Sequence, residues 1–194
     1  MITTAASSIQ ANTANSGGNV TATGGASVTA RGVVISSTNT APAIGSGTNY
    51  PGGIGTGVFS VNLTSLSSGT TYYIRAYATN SAGTCYGSTA QFTTDANCPT
   101  LSTNTTSAIT YTTATSGGDI TASGGATVTA RGVVVSSTNT SPTIGSGTNY
   151  PSGVGTGVFA VNLTNLIPGT KYYVRAYSTN VAGTCYGNIT QFST

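Results

Sequence analysis

The sequence holds no histidine, no glutamate and no tryptophan, and only 4% of its 194 residues are charged, where an average soluble protein has roughly 25%. Asp95 and Asp119 are the only acids, and Arg31, Arg75, Arg131, Arg175 and Lys171 the only bases. These absences exclude most side-chain chemistry. Without histidine, and with two isolated carboxylates, no Ser-His-Asp set, carboxylate pair or His-based metal site can be assembled. Calcium would need several carboxylates. The three cysteines, Cys85, Cys98 and Cys185, match no zinc spacing. The expectation is a chain that is not an enzyme, with no catalytic residue, no metal and no cofactor. The formal charge of +3 is too small and too scattered for a nucleic-acid footprint, so no nucleic-acid partner is expected. No run of 18 or more apolar residues exists, so no membrane-spanning helix is expected either. The opening Met1-Ile2-Thr3-Thr4 lacks the basic and apolar regions of a secretion signal.

What the chain does have is Thr, Val, Ile, Tyr, Ser, Asn and Gly, placed regularly. Low charge alone would fit disorder, but disordered chains are poor in β-branched and aromatic residues. The stretch Gly69-Thr70-Thr71-Tyr72-Tyr73-Ile74-Arg75-Ala76-Tyr77 returns as Gly169-Thr170-Lys171-Tyr172-Tyr173-Val174-Arg175-Ala176-Tyr177. Its period of two predicts a strand with one buried face. Tyr172, Val174 and Ala176 fall on one side, assigned to the core. Tyr173, Arg175 and Tyr177 fall on the other, assigned to the surface, and Tyr73, Arg75 and Tyr77 follow the same rule.

This stretch is part of a larger repeat. A shift of 100 residues superimposes Arg31 on Arg131, Tyr50 on Tyr150, Phe59 on Phe159 and Cys85 on Cys185. Roughly two-thirds of the aligned positions are identical. The period is too long for a solenoid and suits one sandwich domain. Asp95, Asn97 and Pro99 mark a linker, which gives domains at 1–96 and 97–194. Within each copy the expected strands are short and separated by turns. They run over Ile2–Gln10, after Ser16-Gly17-Gly18, over Ser27–Ser36 with Gly32 inside, over Val58–Leu63, over the Tyr-rich stretch, and over Cys85–Thr93. Thr38–Gly57 reads as loop with at most short edge strands. No segment has a helical period. An all-β sandwich follows.

Leu166-x-Pro168-Gly169-Thr170-x-Tyr172, then Arg175-Ala176-x-x-Thr179-Asn180-x-Ala182-Gly183, resembles the end of a fibronectin type III domain. The first copy keeps Leu66, Gly69, Thr70, Tyr72, Asn80 and Gly83, with Ser68 in place of the proline. Val128-Thr129-Ala130-Arg131-Gly132-Val133 is similar to fibronectin-like repeats of large bacterial secreted and surface proteins. The resemblance implies two tandem fibronectin type III/immunoglobulin-like β-sandwich domains. It also implies a tyrosine corner, in which Tyr72 and Tyr172 bury their rings and bond their hydroxyls to backbone near Leu66 and Leu166.

In that fold Cys85 and Cys185 begin the last strand, at the end where the first strand enters. Cys98 precedes the first strand of the second domain. The expected bridge is therefore Cys98–Cys185, while Cys85 is a free thiol or is paired outside the chain, its partner falling just before Met1 in a longer array. Disulfides in turn point to an extracellular or cell-surface protein. The expected role is a rod-like stalk, spacer or adhesin segment whose partners are neighbouring repeats or subunits of the same protein. One alternative is a binding module for glycan or a surface protein. It would use an Arg/Tyr face built from Arg31, Tyr73, Arg75 and Tyr77, with Arg131, Tyr173, Arg175 and Tyr177 in the second copy, or the Gly-rich loops Gly45–Gly57 and Gly145–Gly157. The bland counterpart is an Arg–Tyr ladder that covers the sheet. Another alternative is a filament subunit joined by exchange of the divergent first strand.

Overall fold

A computed structural model describes residues 1–194. The chain divides into units Met1–Asp95 and Ala96–Thr194, one residue earlier than the linker composition indicates. In the first unit the strands are β1 (Ile2–Ser7), β2 (Ala14–Val20), β3 (Ala30–Ser36), β4 (Thr48–Gly53), β5 (Gly57–Leu63), β6 (Thr71–Asn80), β7 (Gly83–Tyr86) and β8 (Ala90–Thr93). The second unit repeats them as β9 (Thr100–Thr103), β10 (Ala114–Ala122), β11 (Ala130–Ser136), β12 (Thr148–Pro151), β13 (Gly157–Leu163), β14 (Lys171–Asn180), β15 (Gly183–Tyr186) and β16 (Thr190–Ser193). There is no helix.

Each unit is two antiparallel sheets. One has the order β1-β2-β5, and β9-β10-β13 in the second unit. The other has the order β4-β3-β6-β7 with β8 also on β6, and β12-β11-β14-β15 with β16 on β14. The core lies between the sheets, because alternate residues of each strand point inward. From β5 come Phe59, Val61 and Leu63, from β3 Val33 and Ile35, and from β6 Ile74, Ala76 and Ala78. Val58, the residue out of phase, is 75% exposed. The alternation seen in the sequence is thus the sheet pleat itself.

Three expected strands take a different form. Ser16-Gly17-Gly18 lies inside β2, not before it, because the backbone there packs against Phe59 and Ala76 of its neighbours. The long strand through Gly32 begins only at Ala30. The last strand is not continuous from Cys85 to Thr93. It breaks at Gly87-Ser88-Thr89 into β7 and β8. The break has a physical reason. Gly87 is buried and lies against Thr3 of the opposite sheet, where any side chain would collide. Thr3 uses that approach to accept, at its hydroxyl, the Ala76 amide at 3.1 Å. Thr103 does the same for Ala176 at 2.9 Å. The two sheets are so tied at the edge where the first strand enters.

Gly32 and Gly132 answer to a second constraint. Both pair with a tyrosine of the central strand, Gly32 with Tyr77 and Gly132 with Tyr177. A Cβ on Gly132 would lie 2.8 Å from Cε1 of Tyr177 and would also strike the Tyr150 carbonyl. Gly132→Ala is therefore expected to destabilise the second unit by about 1–3 kcal/mol through overpacking. Denaturant titration checks this, and a neutral result would mean the Tyr177 ring is free to move aside.

Candidate functional site

The central strand and its neighbours carry every Arg and Tyr of interest. Tyr72 and Tyr172 lie on the core side, paired with Phe92 and Phe192. Their rings stack on those phenylalanines at centroid distances of 5.7 and 5.5 Å. Their hydroxyls accept the backbone amides of Ser67 and Ile167, both at 2.9 Å. A ring held at both ends in this way fixes the turn that enters the strand.

Tyr77 and Tyr177, assigned to the surface by alternation, are 3% exposed. They do face away from the core, so their parity is as expected, but that face is not open. The segment Ser37–Gly47 folds across it. Pro42 in that segment is fully buried, Val34 beneath it is 0% exposed, and the Ile44 amide donates to the Tyr86 hydroxyl at 3.0 Å. The second unit repeats the cover with Pro142, Val134 and the bond from Ile144 to Tyr186. The unbroken run Val133-Val134-Val135 is the signal for this in the sequence, since a strand apolar at every position is buried on both faces.

Arg75 and Arg175 remain on the outer face but do not stack between Tyr73 and Tyr77. Each reaches sideways to the neighbouring strand. Arg75 Cζ lies 4.6 Å from the centroid of Tyr86, and its Nε donates to the Gly87 carbonyl at 3.0 Å. Arg175 lies 4.8 Å from Tyr186, donates to Gly187 at 3.2 Å, and reaches Ser141 Oγ at 3.1 Å. Both arginines therefore hold the carbonyl at the strand break. Tyr73 and Tyr173 are half-buried, and Lys171 Nζ lies 5.3 Å from the Tyr173 ring.

Arg31 and Arg131 do not share that face. Arg31 pairs with Ala78, a core-side residue, whereas Arg75 pairs with Val34 of the outer side. The eight residues expected to form Arg/Tyr faces thus divide over two sides of each sheet. Arg31 is committed to the loop between β4 and β5. It donates to the carbonyls of Gly52 at 3.2 Å and Thr56 at 2.8 Å, and packs 5.1 Å from the Phe59 centroid. Arg131 makes the same contacts with Ser152 at 3.4 Å, Thr156 at 2.9 Å and Phe159 at 5.1 Å. The Gly-rich loops are pinned from beneath by these guanidinium groups.

Tyr50 and Tyr150 are a further pair that the sequence did not single out. Each donates its hydroxyl to a carbonyl, Thr64 at 2.7 Å and Thr164 at 2.8 Å. Burial lifts both phenols above their ordinary pKa of 10.0. A pKa raised by folding means that the folded state holds the proton more tightly. The corresponding stability is complete below the unfolded pKa and is lost as pH rises through the folded one. The denaturant midpoint is therefore expected to fall as pH rises above 10.0, the ordinary phenol value. The fall should be smaller in the Tyr50→Phe/Tyr150→Phe double variant. Equal pH profiles would remove these tyrosines from the account.

Among the cysteines, Cys98 and Cys185 form a disulfide with Cα atoms 6.0 Å apart, and Cys85 is free and exposed. No group of three His, Cys, Asp or Glu side chains converges anywhere in the chain.

A three-stranded sheet ordered first-second-fifth, facing a sheet built on the third and sixth strands, with a tyrosine tied back to the turn before the sixth, defines tandem fibronectin type III-like β-sandwich domains. The chain is similar in structure to a two-domain fibronectin type III segment from chicken tenascin. That match covers 99% of each chain at 18% sequence identity and a TM-score of 0.47. No protein-family model matches the sequence, and no curated protein matches it significantly.

Proposed function

We propose that the chain is a non-catalytic structural segment of an extracellular or cell-surface protein, a spacer or adhesin repeat whose partners are neighbouring repeats. The observation that carries this reading is the internal use of all four arginines. Arg31, Arg75, Arg131 and Arg175 each donate to backbone carbonyls and lie over an aromatic ring of their own unit. A glycan or peptide site would instead leave such donors convergent and free. Duplication of the same contacts in both units also suits a scaffold role. The disulfide supports an oxidising, extracellular setting.

A glycan array probed with the whole chain tests the reading. No glycan is expected to be retained. Arg175→Ala is expected to lower stability, because it removes the hold on the Gly187 carbonyl. A glycan retained by the native chain and lost in Arg175→Ala, with the melting temperature of the variant equal to that of the native chain, would replace the structural role with a binding one.

A further inference from the structure

The disulfide joins the entry of the second unit to its last strands. Cys98 lies just before β9, and Cys185 lies in β15. Their Cα atoms are 6.0 Å apart, although 87 residues separate them in sequence. The bridge is braced by its neighbours. Asn180 is 5% exposed, and its Nδ2 donates to the carbonyls of Asn97 and Ser123, both at 2.8 Å. The Asn97 amide donates to the Gly124 carbonyl at 2.7 Å, and Pro99 is buried.

The bridge creates a short covalent path through the unit. From Cys98 it crosses the two sulfurs to Cys185 and runs along β15 and β16 to Thr194, with β9 to β14 in a closed loop beside it. That path has almost no slack. Cys185 pairs with Ser178 of β14, and the Thr194 amide donates to the Thr170 carbonyl at 3.2 Å. The eight residue steps from Thr170 to Ser178 span about 26 Å, at roughly 3.3 Å per residue of strand. The nine steps from Cys185 to Thr194 reach about 32 Å when drawn out fully, at roughly 3.6 Å each. A pull can lengthen the path by only about 6 Å. The slack sits at Gly187-Asn188-Ile189, between β15 and β16, and there it is held. The Gly187 amide donates to the Ala176 carbonyl at 2.9 Å, and the Gly187 carbonyl accepts Arg175 Nε at 3.2 Å. Asn188 Oδ1 accepts the Thr103 amide at 2.9 Å.

We propose that the second unit is an inextensible load-bearing link, in which tension along the chain passes through the Cys98–Cys185 bridge and then along β15 and β16, while β9 to β14 lie outside the load path. The source of that tension rests on the structural role already proposed. With the bridge open, the same tension would run through every strand of the unit. Unravelling would then add the 87-residue loop, about 300 Å of chain. With the bridge closed, the core between the two sheets can stay packed at loads that pull an unbridged sandwich apart, because none of its inner strands is drawn on.

The test stretches the whole chain between residues 1 and 194 in single-molecule force spectroscopy. Unfolding of the first unit, Met1–Asp95, is the internal reference and adds about 300 Å. With the bridge closed, one such step is expected and no second step above about 10 Å. The Cys98→Ser/Cys185→Ser variant is expected to gain a further length of about 300 Å. That gain comes as a step if the second unit folds, and as extra length from the start if it does not. Two long steps from the bridged chain would overturn the proposal, as would a variant no longer than the native chain. A small thiol added at constant force gives a second readout. Its thiolate attacks one sulfur of the bridge, the S–S bond breaks, and the other sulfur leaves with the electron pair and takes up a proton. The breaking bond lengthens in the transition state, so tension through it lowers the barrier. The delayed gain of about 300 Å that marks reduction is therefore expected to come sooner at higher force. A delay independent of force would place the bridge outside the load path and sink the idea. Neither readout involves glycan, so failure of the link is told apart from failure of the structural role.

Discussion

Tyr172→Ala is expected to destabilise the second unit by about 3–5 kcal/mol, the usual range for emptying a large aromatic site in a core. Tyr172 is 7% exposed. Two losses combine in the substitution. The ring leaves a void beside Phe192, on which it stacks at 5.5 Å. The Ile167 amide loses its acceptor. Tyr172→Phe separates the two. It keeps the ring and removes the hydroxyl, and should cost about 0.5–1.5 kcal/mol, because Ile167 is exposed and water can take over its amide. Tyr177→Ala belongs with the large losses as well, because its ring is as buried as the core although it lies on the other side of the sheet. Tyr173→Ala should cost far less, its ring being only half-buried. Denaturant titrations of the variants provide the comparison. Equal losses at Tyr172 and Tyr173 would reverse the faces of the central strand. A negligible loss at Tyr177 would mean that its buried ring, packed against Gly132, contributes little to the unit.

Opening the disulfide is expected to have the other large effect. Cys98 and Cys185 are separated by 87 residues, and in the chain-entropy account a loop of that length contributes about 4–5 kcal/mol, as an upper value. The effect of Cys98→Ser or Cys185→Ser should be confined to the second unit, with the melting of the first unit unchanged. Loss of the bridge also frees Asn97 and Pro99, so Asn180 should become more exposed to solvent and its neighbours should exchange amide hydrogen faster. A change in stability below about 1 kcal/mol would show that the segment is held by its hydrogen bonds alone. Peptide mapping of the unreduced chain is the direct check on connectivity, and a Cys85–Cys98 peptide would contradict the pairing.

The alternation of Phe59, Val61 and Leu63, and of Tyr72, Ile74 and Ala76, was enough to determine an all-β chain and the inward face of the central strands, and the repeat at 100 residues determined the two copies. Period-two burial is a property of neighbours along one strand, so it is visible in a single stretch of sequence. The near-absence of acids and the lack of histidine likewise determined which chemistries were out of reach. The tertiary structure alone decided which outward residues are surface. Alternation gives parity, but it does not say whether another segment crosses the face, and Ser37–Gly47 crosses it with its Gly47 backbone against Val34 and its Ile44 amide on the hydroxyl of Tyr86, the strand partner of Tyr77. It also decided that Arg31 and Arg75 lie on opposite sides of the sheet, because that depends on the register between β3 and β6 and not on either strand alone. The break of the last strand at Gly87 is a matter of the same kind. Its cause is Thr3, at the far end of the unit, and close approach between two backbones leaves no periodic mark in either one.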